Sequence, residues 1–345
     1  MALYSGQINS LPIPQVVRRN TLYLAGATAV FSMSFITYLS LAPPLMVALT
    51  GSLAFAGMPQ SLNAFVRMVL SYPVGRLMDR YGRRLPLVFA LLLAGAAGAV
   101  VFYAVAVRSL PLFFAAMGFL SIGYSVGHQI RVAATDMFPP GRKGEGVGYL
   151  MSGHVAGSLV GPLVMVLAYA FSRALGFEPE VGSWLLLPLF MVGGAWLILR
   201  ARPDPQEIGK NLAAFYPGLS TSSDGPAVES YAFSEMSLGR MLRYYPILVA
   251  VLTCALAWGN MTMMMGLVPV VLGHHGHDMR GIAWAIALHS IGMFAPMIPF
   301  GWMADRQGRR ITLIVGALLS GIGSLITGLS ASYWIITFGI VLVGI

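Results

Sequence analysis

The sequence predicts an all-α fold that crosses a membrane many times, organised as two pseudo-symmetric six-helix bundles. Three observations point to it. Of 345 residues, 57% are hydrophobic and only 10% are charged, far below the roughly one-quarter charged that is usual in soluble domains. Apolar runs of about 20 residues, the length needed to cross a hydrocarbon core as a helix, recur along the whole chain. The stretch Gly75–Arg84, GRLMDRYGRR, returns 226 positions later as Gly301–Arg310, GWMADRQGRR, so the chain is an internal duplication.

By length and apolarity the spans fall near 22–49, 54–78, 85–107, 110–138, 146–171, 182–201, 244–272, 281–303, 311–329 and 332–345. The first contains Pro43 and Pro44, which are expected to kink it or end it, because proline removes a backbone donor and crowds the preceding turn. The fifth carries Gly153, Gly157 and Gly161 followed by Pro162; small residues at four-residue spacing form a flat face for close helix contact. Residues 203–240 are rich in Pro, Ser and polar groups and read as a linker between an N-terminal bundle, 1–202, and a C-terminal bundle, 241–345. The chain reaches Ile345 within its tenth apolar run.

The formal charge of +9 does not imply a nucleic-acid partner, because its placement matters more than its size. Sixteen of the 21 Lys and Arg residues fall in segments that alternating spans put on one side of the membrane. Arg108, Arg173 and Arg280 fall on the other, and Arg67 and Arg131 lie within spans. Positive charge marks the cytoplasmic side, so the N-terminus and the linker are expected there, in a bacterial inner membrane. The single cysteine, Cys254, excludes an internal disulfide framework.

Both copies of the repeated stretch lie between two apolar runs, so each is a short charged hairpin joining two helices. The shared residues are Gly75, Asp79, Arg80, Gly82, Arg83 and Arg84 in the first copy, and Gly301, Asp305, Arg306, Gly308, Arg309 and Arg310 in the second. Glycine permits the tight turn without a Cβ clash. The pattern Gly-x-x-x-Asp-Arg-x-Gly-Arg-Arg at matching places in two halves resembles the signature loop of the major facilitator superfamily of transporters, over nearly the whole chain. The resemblance implies twelve helices, the last two of them absent from this chain, and rocking alternating access between the bundles. It also implies a gating role for the loop, with Asp79 engaging a neighbouring helix end and Arg83 or Arg84 engaging Asp136 at the end of helix four.

All twelve acidic residues fall in loops, helix ends or the linker, so the ionisable groups at membrane depth are Arg67, His128, Arg131, His154 and His289. Such groups are functional candidates. On helix seven Met261 and Met265, and on helix eight His289 and Met293, are each four apart and so share a face. In an antiparallel pair they fall on two matching levels, roughly 12 and 18 Å from the mouth at 1.5 Å rise per residue. Thioether and imidazole ligands suit a soft ion such as Cu(I). Cys254, seven residues below Met261, and a mouth cluster of His274, His275, His277 and Met279 add soft donors, although methionine pairs are commonly packing. The two motifs also resemble the copper-importing branch of the superfamily, which would make Met261, Met265, His289 and Met293 copper ligands; a related branch imports riboflavin. The 226-residue offset places Asn63 and Arg67 where the second half has His289 and Met293, so a fixed positive charge borders the same cavity. That charge opposes a bare cuprous ion and suits an anionic or polar organic solute. His128 and His154, at similar depths, form a proton-handling pair, a lower metal station, or a hydrogen-bonded pair.

The expected function is therefore an inner-membrane secondary transporter, not an enzyme. Copper import through the Met/His set leads, with import of riboflavin or another small organic solute, or proton-coupled drug efflux, as alternatives. A metal-sensing receptor would need no repeated gating loops. The expected partners are the lipid bilayer and a small solute or copper ion, with no nucleic acid, no resident cofactor and a monomeric state.

Overall fold

A computed structural model describes residues 12–139, 142–217, 243–296, 299–300, 303 and 306–345. Its ten principal helices are α1 (Gln15–Thr50), α2 (Met58–Tyr81), α3 (Arg84–Ala106), α4 (Leu110–Asp136), α5 (Lys143–Ala174), α6 (Leu186–Arg200), α7 (Tyr245–His274), α8 (Met279–Phe294), α9 (Arg309–Leu329) and α10 (Tyr333–Gly344). Seven helices among the described residues are long and apolar enough to cross a membrane. Helix α2 is not one of them, because it carries Gln60, Asn63, Arg67, Arg76 and Asp79. These polar side chains are tolerated where a helix faces protein or a cavity instead of lipid.

Helix α1 runs straight through Pro43 and Pro44 and ends seven residues later, at Gly51 in the left-handed region (φ 70°), whose N–H bonds the Val47 carbonyl. The helix thus ends within one residue of the expected 22–49 span, and the αL glycine, not the proline pair itself, supplies the termination. Helix α4 is interrupted at His128–Gln129, between a run ending at Gly127 and one beginning at Ile130.

In the N-terminal half, α1 lies along α5 and α6, α3 sits between α4 and α6, and α2 packs on α4. The glycine stripe of α5 faces α1. A Cβ on Gly153 or Gly157 would run into the carbonyls of Ala25 and Ala29, and one on Gly161 into Ile36. In lipid, where apolar burial alone gives little drive for association, such close backbone approach is a main source of helix packing energy. Tyr38 and Tyr124 donate to the carbonyls of Pro59 and Ser34 (2.7 and 3.1 Å), tying α1 to α2 and α4.

In the C-terminal half, α8 and α9 both pack on α10, and Asn260 of α7 donates to Ser320 and Ser324 of α9, 2.8 Å each. The halves meet where α5 touches α8, α1 touches α7 and α8, and α2 touches α7. The buried residues of α7 are Met265, Gly266, Val268, Pro269 and Leu272, all in the part remote from the repeated loops, and Gly266 comes up against Gly57. The stretch from Tyr245 to Trp258 is largely exposed. Among the described residues the buried part of α7 therefore lies away from the Arg-rich loops.

Residues 203–217, which composition places in the linker, include two short helices, Pro205–Lys210 and Leu212–Phe215, stitched to the Arg-rich end of the N-terminal half. Asn20 donates to the Pro203 carbonyl at 3.0 Å, Tyr216 donates to the Met137 carbonyl at 3.1 Å, and Ile208 is fully buried. The remaining linker residues, 218–240, lie outside the described residues, as do 241 and 242.

Candidate functional site

One cavity, about 60 Å³, is built from both halves. The N-terminal half contributes Phe35 and Leu39 from α1, Gln60, Asn63, Ala64 and Arg67 from α2, His128 and Arg131 from α4, and His154 from α5. The C-terminal half contributes Trp258, Met261, Thr262 and Met265 from α7, and His289, Ser290, Met293 and Phe294 from α8. The residues selected from spacing and from the 226-residue offset thus meet in one place. Cys254 does not. It is exposed, on the largely exposed first half of α7.

Each polar side chain has a defined local cause. Asn63 and Arg67 are four apart on α2 and so face the same way, and Gln60, at i−3 from Asn63, extends the stripe. The Arg67 guanidinium carbon lies 4.5 Å from the centre of the Trp258 ring, a cation–π contact across the two halves. His128 and Arg131 flank the break in α4, and His128 sits edge-on to Phe31 and Phe35 at 5.1 and 5.6 Å. His154 pairs through Nδ1 with Ser32 of α1, whose hydroxyl donates to the Thr28 carbonyl at 2.8 Å. His289 is fixed by the backbone: Nδ1 donates to the Ile340 carbonyl of α10 at 2.5 Å, and Nε2 is buried without a partner. None of the described Asp or Glu residues lines the cavity. No group of three or more His, Cys, Asp or Glu among the described residues is placed to hold a metal ion. The outer histidine cluster therefore forms no such centre, and His277 packs on Tyr333 instead.

The repeated loops form the second feature. Gly82 and Gly308, equivalent by the 226-residue offset, adopt φ 84° and 90° with ψ 173° and 152°, a region essentially closed to residues with a Cβ. Arg83, and not Arg84, makes the ion pair with Asp136, Nε to Oδ2 at 2.8 Å, and also reaches Asp79 at 3.0 Å. Asp79 is mostly exposed, and Gln206 donates to its carbonyl oxygen at 3.0 Å. Arg80 stacks on Tyr81, and a Cβ at Gly75 would meet open space. Gly301 and Asp305 lie outside the described residues, Arg309 begins α9, and Arg310 is exposed.

Spacing missed two contributors that carried a signal. Trp258 lies three and seven residues before Met261 and Met265, on their stripe, and Gln60 precedes Asn63 by three. It also missed Asp204, which receives the backbone N–H groups of Arg83 and Arg84 at 3.1 and 3.0 Å. The dipeptide Asp204-Pro205 signals a helix start, but its partners lie 120 residues away.

A duplicated set of membrane helices closing around one polar cavity defines a polytopic all-α membrane protein of the two-bundle type. The chain belongs to the Major Facilitator Superfamily, whose sequence profile matches residues 24–279 and 250–345. It is 27% identical over 284 residues to the uncharacterised MFS-type transporter YdeG of Bacillus subtilis, covering 82% of this chain and 63% of that protein. The riboflavin transporter RfnT of Brucella anthropi is 23% identical over 325 residues, covering 90% of this chain and 72% of RfnT. The chain thus spans about 63% of the length of YdeG. Among solved structures, a bacterial homologue of the human lysosomal transporter Spinster, inward-facing and unoccupied, has a TM-score of 0.69 at 13% identity over 96% of this chain and 73% of its own. The xylose transporter XylE of E. coli, partially occluded and inward-open, has 0.59 at 16% over 96% and 83%. At these identities the likeness concerns the fold.

Proposed function

We propose that the protein is a secondary carrier of a bacterial plasma membrane that moves a small organic solute through the cavity between α1, α2, α4, α5, α7 and α8. The bundles rock about this site, with the Arg-rich loops on the cytoplasmic side. The observation that carries the reading is that one cavity takes side chains from both halves, with Arg67 of one half lying against Trp258 of the other. A site shared in this way is loaded and unloaded as the halves separate at alternate ends. Support for an organic solute comes from Arg67, Arg131 and the aromatic walls Phe35, Trp258 and Phe294, and from the similarity to a riboflavin transporter.

Copper import is the second reading, favoured by one observation: the His289 Nε2 lone pair is bare while Nδ1 is held by a carbonyl, an arrangement common in metal-ligating histidines. Met261, Met265 and Met293 line the same cavity. Two guanidinium groups there oppose a bare cation, and Cys254 is not at hand.

Side-by-side uptake of radioactive copper and riboflavin, in cells producing the full-length protein, tests both. Replacing Met261 and Met265 together by Leu conserves volume and removes the sulfur lone pairs, at a stability cost typically under ~1.5 kcal/mol. Uptake of an organic solute should survive that change. Loss of copper uptake in the variant, with riboflavin never accumulated by either protein, would transfer the assignment to copper.

A further inference from the structure

The cavity leaves hydrogen-bonding capacity unused, and that capacity is lopsided. Gln60 Nε2 and Asn63 Nδ2 are amide donors in residues only 6% exposed, and neither meets an acceptor; His128 Nε2, in the same lining, is also buried without a partner and takes either role according to its tautomer. Beside them stand the guanidinium groups of Arg67 and Arg131. The Trp258 ring orients Arg67, but a π face supplies no countercharge. The described carboxylates are elsewhere: Asp79 and Asp136 are taken by Arg83, Glu145 by Arg142, and Asp204 by the start of α3. A cationic, donor-rich cavity out of bulk water is complementary to an oxyanion, and guanidinium and amide N–H groups are the groups that hold one with direction. The opposite wall differs. His289 presents a buried acceptor, its proton being committed to Ile340, and an acceptor in that place calls for a hydroxyl or N–H group on the ligand. The cavity of roughly 60 Å³ has room for a few waters, enough for an oxyanion head group.

We propose that the solute is a small organic anion whose oxyanion is held by Arg67, Arg131 and the amide groups of Gln60 and Asn63, while a hydroxyl or N–H group of the same molecule donates to His289. This deepens the carrier reading and rests on it for the movement of the bound solute across the membrane. The bound anion is the countercharge that the cavity lacks.

Thermal unfolding of the purified full-length protein tests the binding without any transport step. The probes are lactate and 4-hydroxybenzoate, which carry a carboxylate and a hydroxyl, benzoate, which carries the carboxylate alone, inorganic phosphate, riboflavin and Cu(I). A hydroxycarboxylate should raise the unfolding temperature more than its hydroxyl-free analogue does, and inorganic phosphate less than either. The phosphate arm thereby separates an organic anion from a free inorganic one. Arg67→Gln should weaken the binding roughly ten- to hundredfold, as loss of a charge-assisted hydrogen bond does. The ligand-free variant should unfold near the parent temperature, because the charge removed had no countercharge and only the Trp258 ring as a neighbour. Three results overturn the proposal: no carboxylate shifts the transition, the shift survives Arg67→Gln, or ligand-free Arg67→Gln unfolds well below the parent. A shift confined to riboflavin or Cu(I) also overturns it and leaves the carrier reading standing. Carboxylate binding that Arg67→Gln abolishes, in a protein that moves no solute in proteoliposomes, upholds the anion site and sinks the carrier reading.

Discussion

Replacing Asp204 by Ala should loosen the loop between α2 and α3 from a distance of 120 residues in sequence. One carboxylate takes three backbone N–H groups: Arg83 at 3.1 Å and Gln206 at 2.9 Å on Oδ1, and Arg84 at 3.0 Å on Oδ2. It therefore caps two helices, α3 and the short helix Pro205–Lys210. Loss of an N-cap to alanine costs about 1 kcal/mol for each helix. Removing a negative charge from a helix N-terminus adds about 0.5 kcal/mol. Together these amount to about 2.5 kcal/mol, or a fall of roughly 5–10 °C in the unfolding temperature of a body of about 200 residues. Asp204→Asn keeps one acceptor oxygen, turns the other into an amide donor that cannot receive a backbone N–H, and loses the charge, so it should fall about halfway between the parent and the alanine variant. Thermal unfolding of the three proteins in one detergent measures this. An alanine variant that unfolds with the parent, or an asparagine variant as weak as alanine, refutes the capping account.

Three further outcomes are expected from the same assay. Asp79→Asn removes the mostly exposed partner of Arg83 and should change stability by no more than about 0.5 kcal/mol, so a loss of solute uptake with unchanged unfolding places Asp79 in the transport cycle, and normal uptake removes it. Gly157→Ala meets the Ala29 carbonyl whereas Gly148→Ala meets open space; the first should destabilise by roughly 1–3 kcal/mol and the second should be neutral or stabilise by up to about 1 kcal/mol. Burial pushes the Tyr216 phenol up to about 12. The folded state therefore favours its neutral form, and that contribution is intact below the ordinary tyrosine value of about 10 and is lost as pH rises from there to about 12. Tyr216→Phe should lose about 1 kcal/mol near neutrality, because the Met137 carbonyl loses its donor, and should show less alkaline destabilisation; an identical alkaline profile in both proteins contradicts the assignment.

The spans and the cavity were legible in the sequence for a shared reason. Helix spacing fixes which side chains share a face, and the 226-residue repeat relates α2 to α8, so Asn63 and Arg67 could be set against His289 and Met293 without coordinates. Cys254 shows where that logic stops. It shares an ideal-helix stripe with Met261, yet a stripe reaches a cavity only where a partner helix closes over it, and that part of α7 is exposed. Asp204 shows a second limit. Its capping chemistry is readable, but which helix besides its own it caps depends on how 203–216 folds back, and no local periodicity records this. Choosing Arg83 over Arg84 for Asp136 is a matter of one residue's rotation around the loop, which the Arg-Arg pair leaves open.

The folding of residues 203–216 against the N-terminal half changes what joins the two bundles. From Tyr216 to Tyr245 the chain has an upper reach of roughly 100 Å at about 3.6 Å per residue. The contacts of residues 203–216 are made with the N-terminal half, so a break after Tyr216 removes none of them. The bundles should therefore tolerate being made as two polypeptides divided within 218–242, provided that the first keeps Tyr216, and a division before Asp204 should fail because it deprives α3 of its cap.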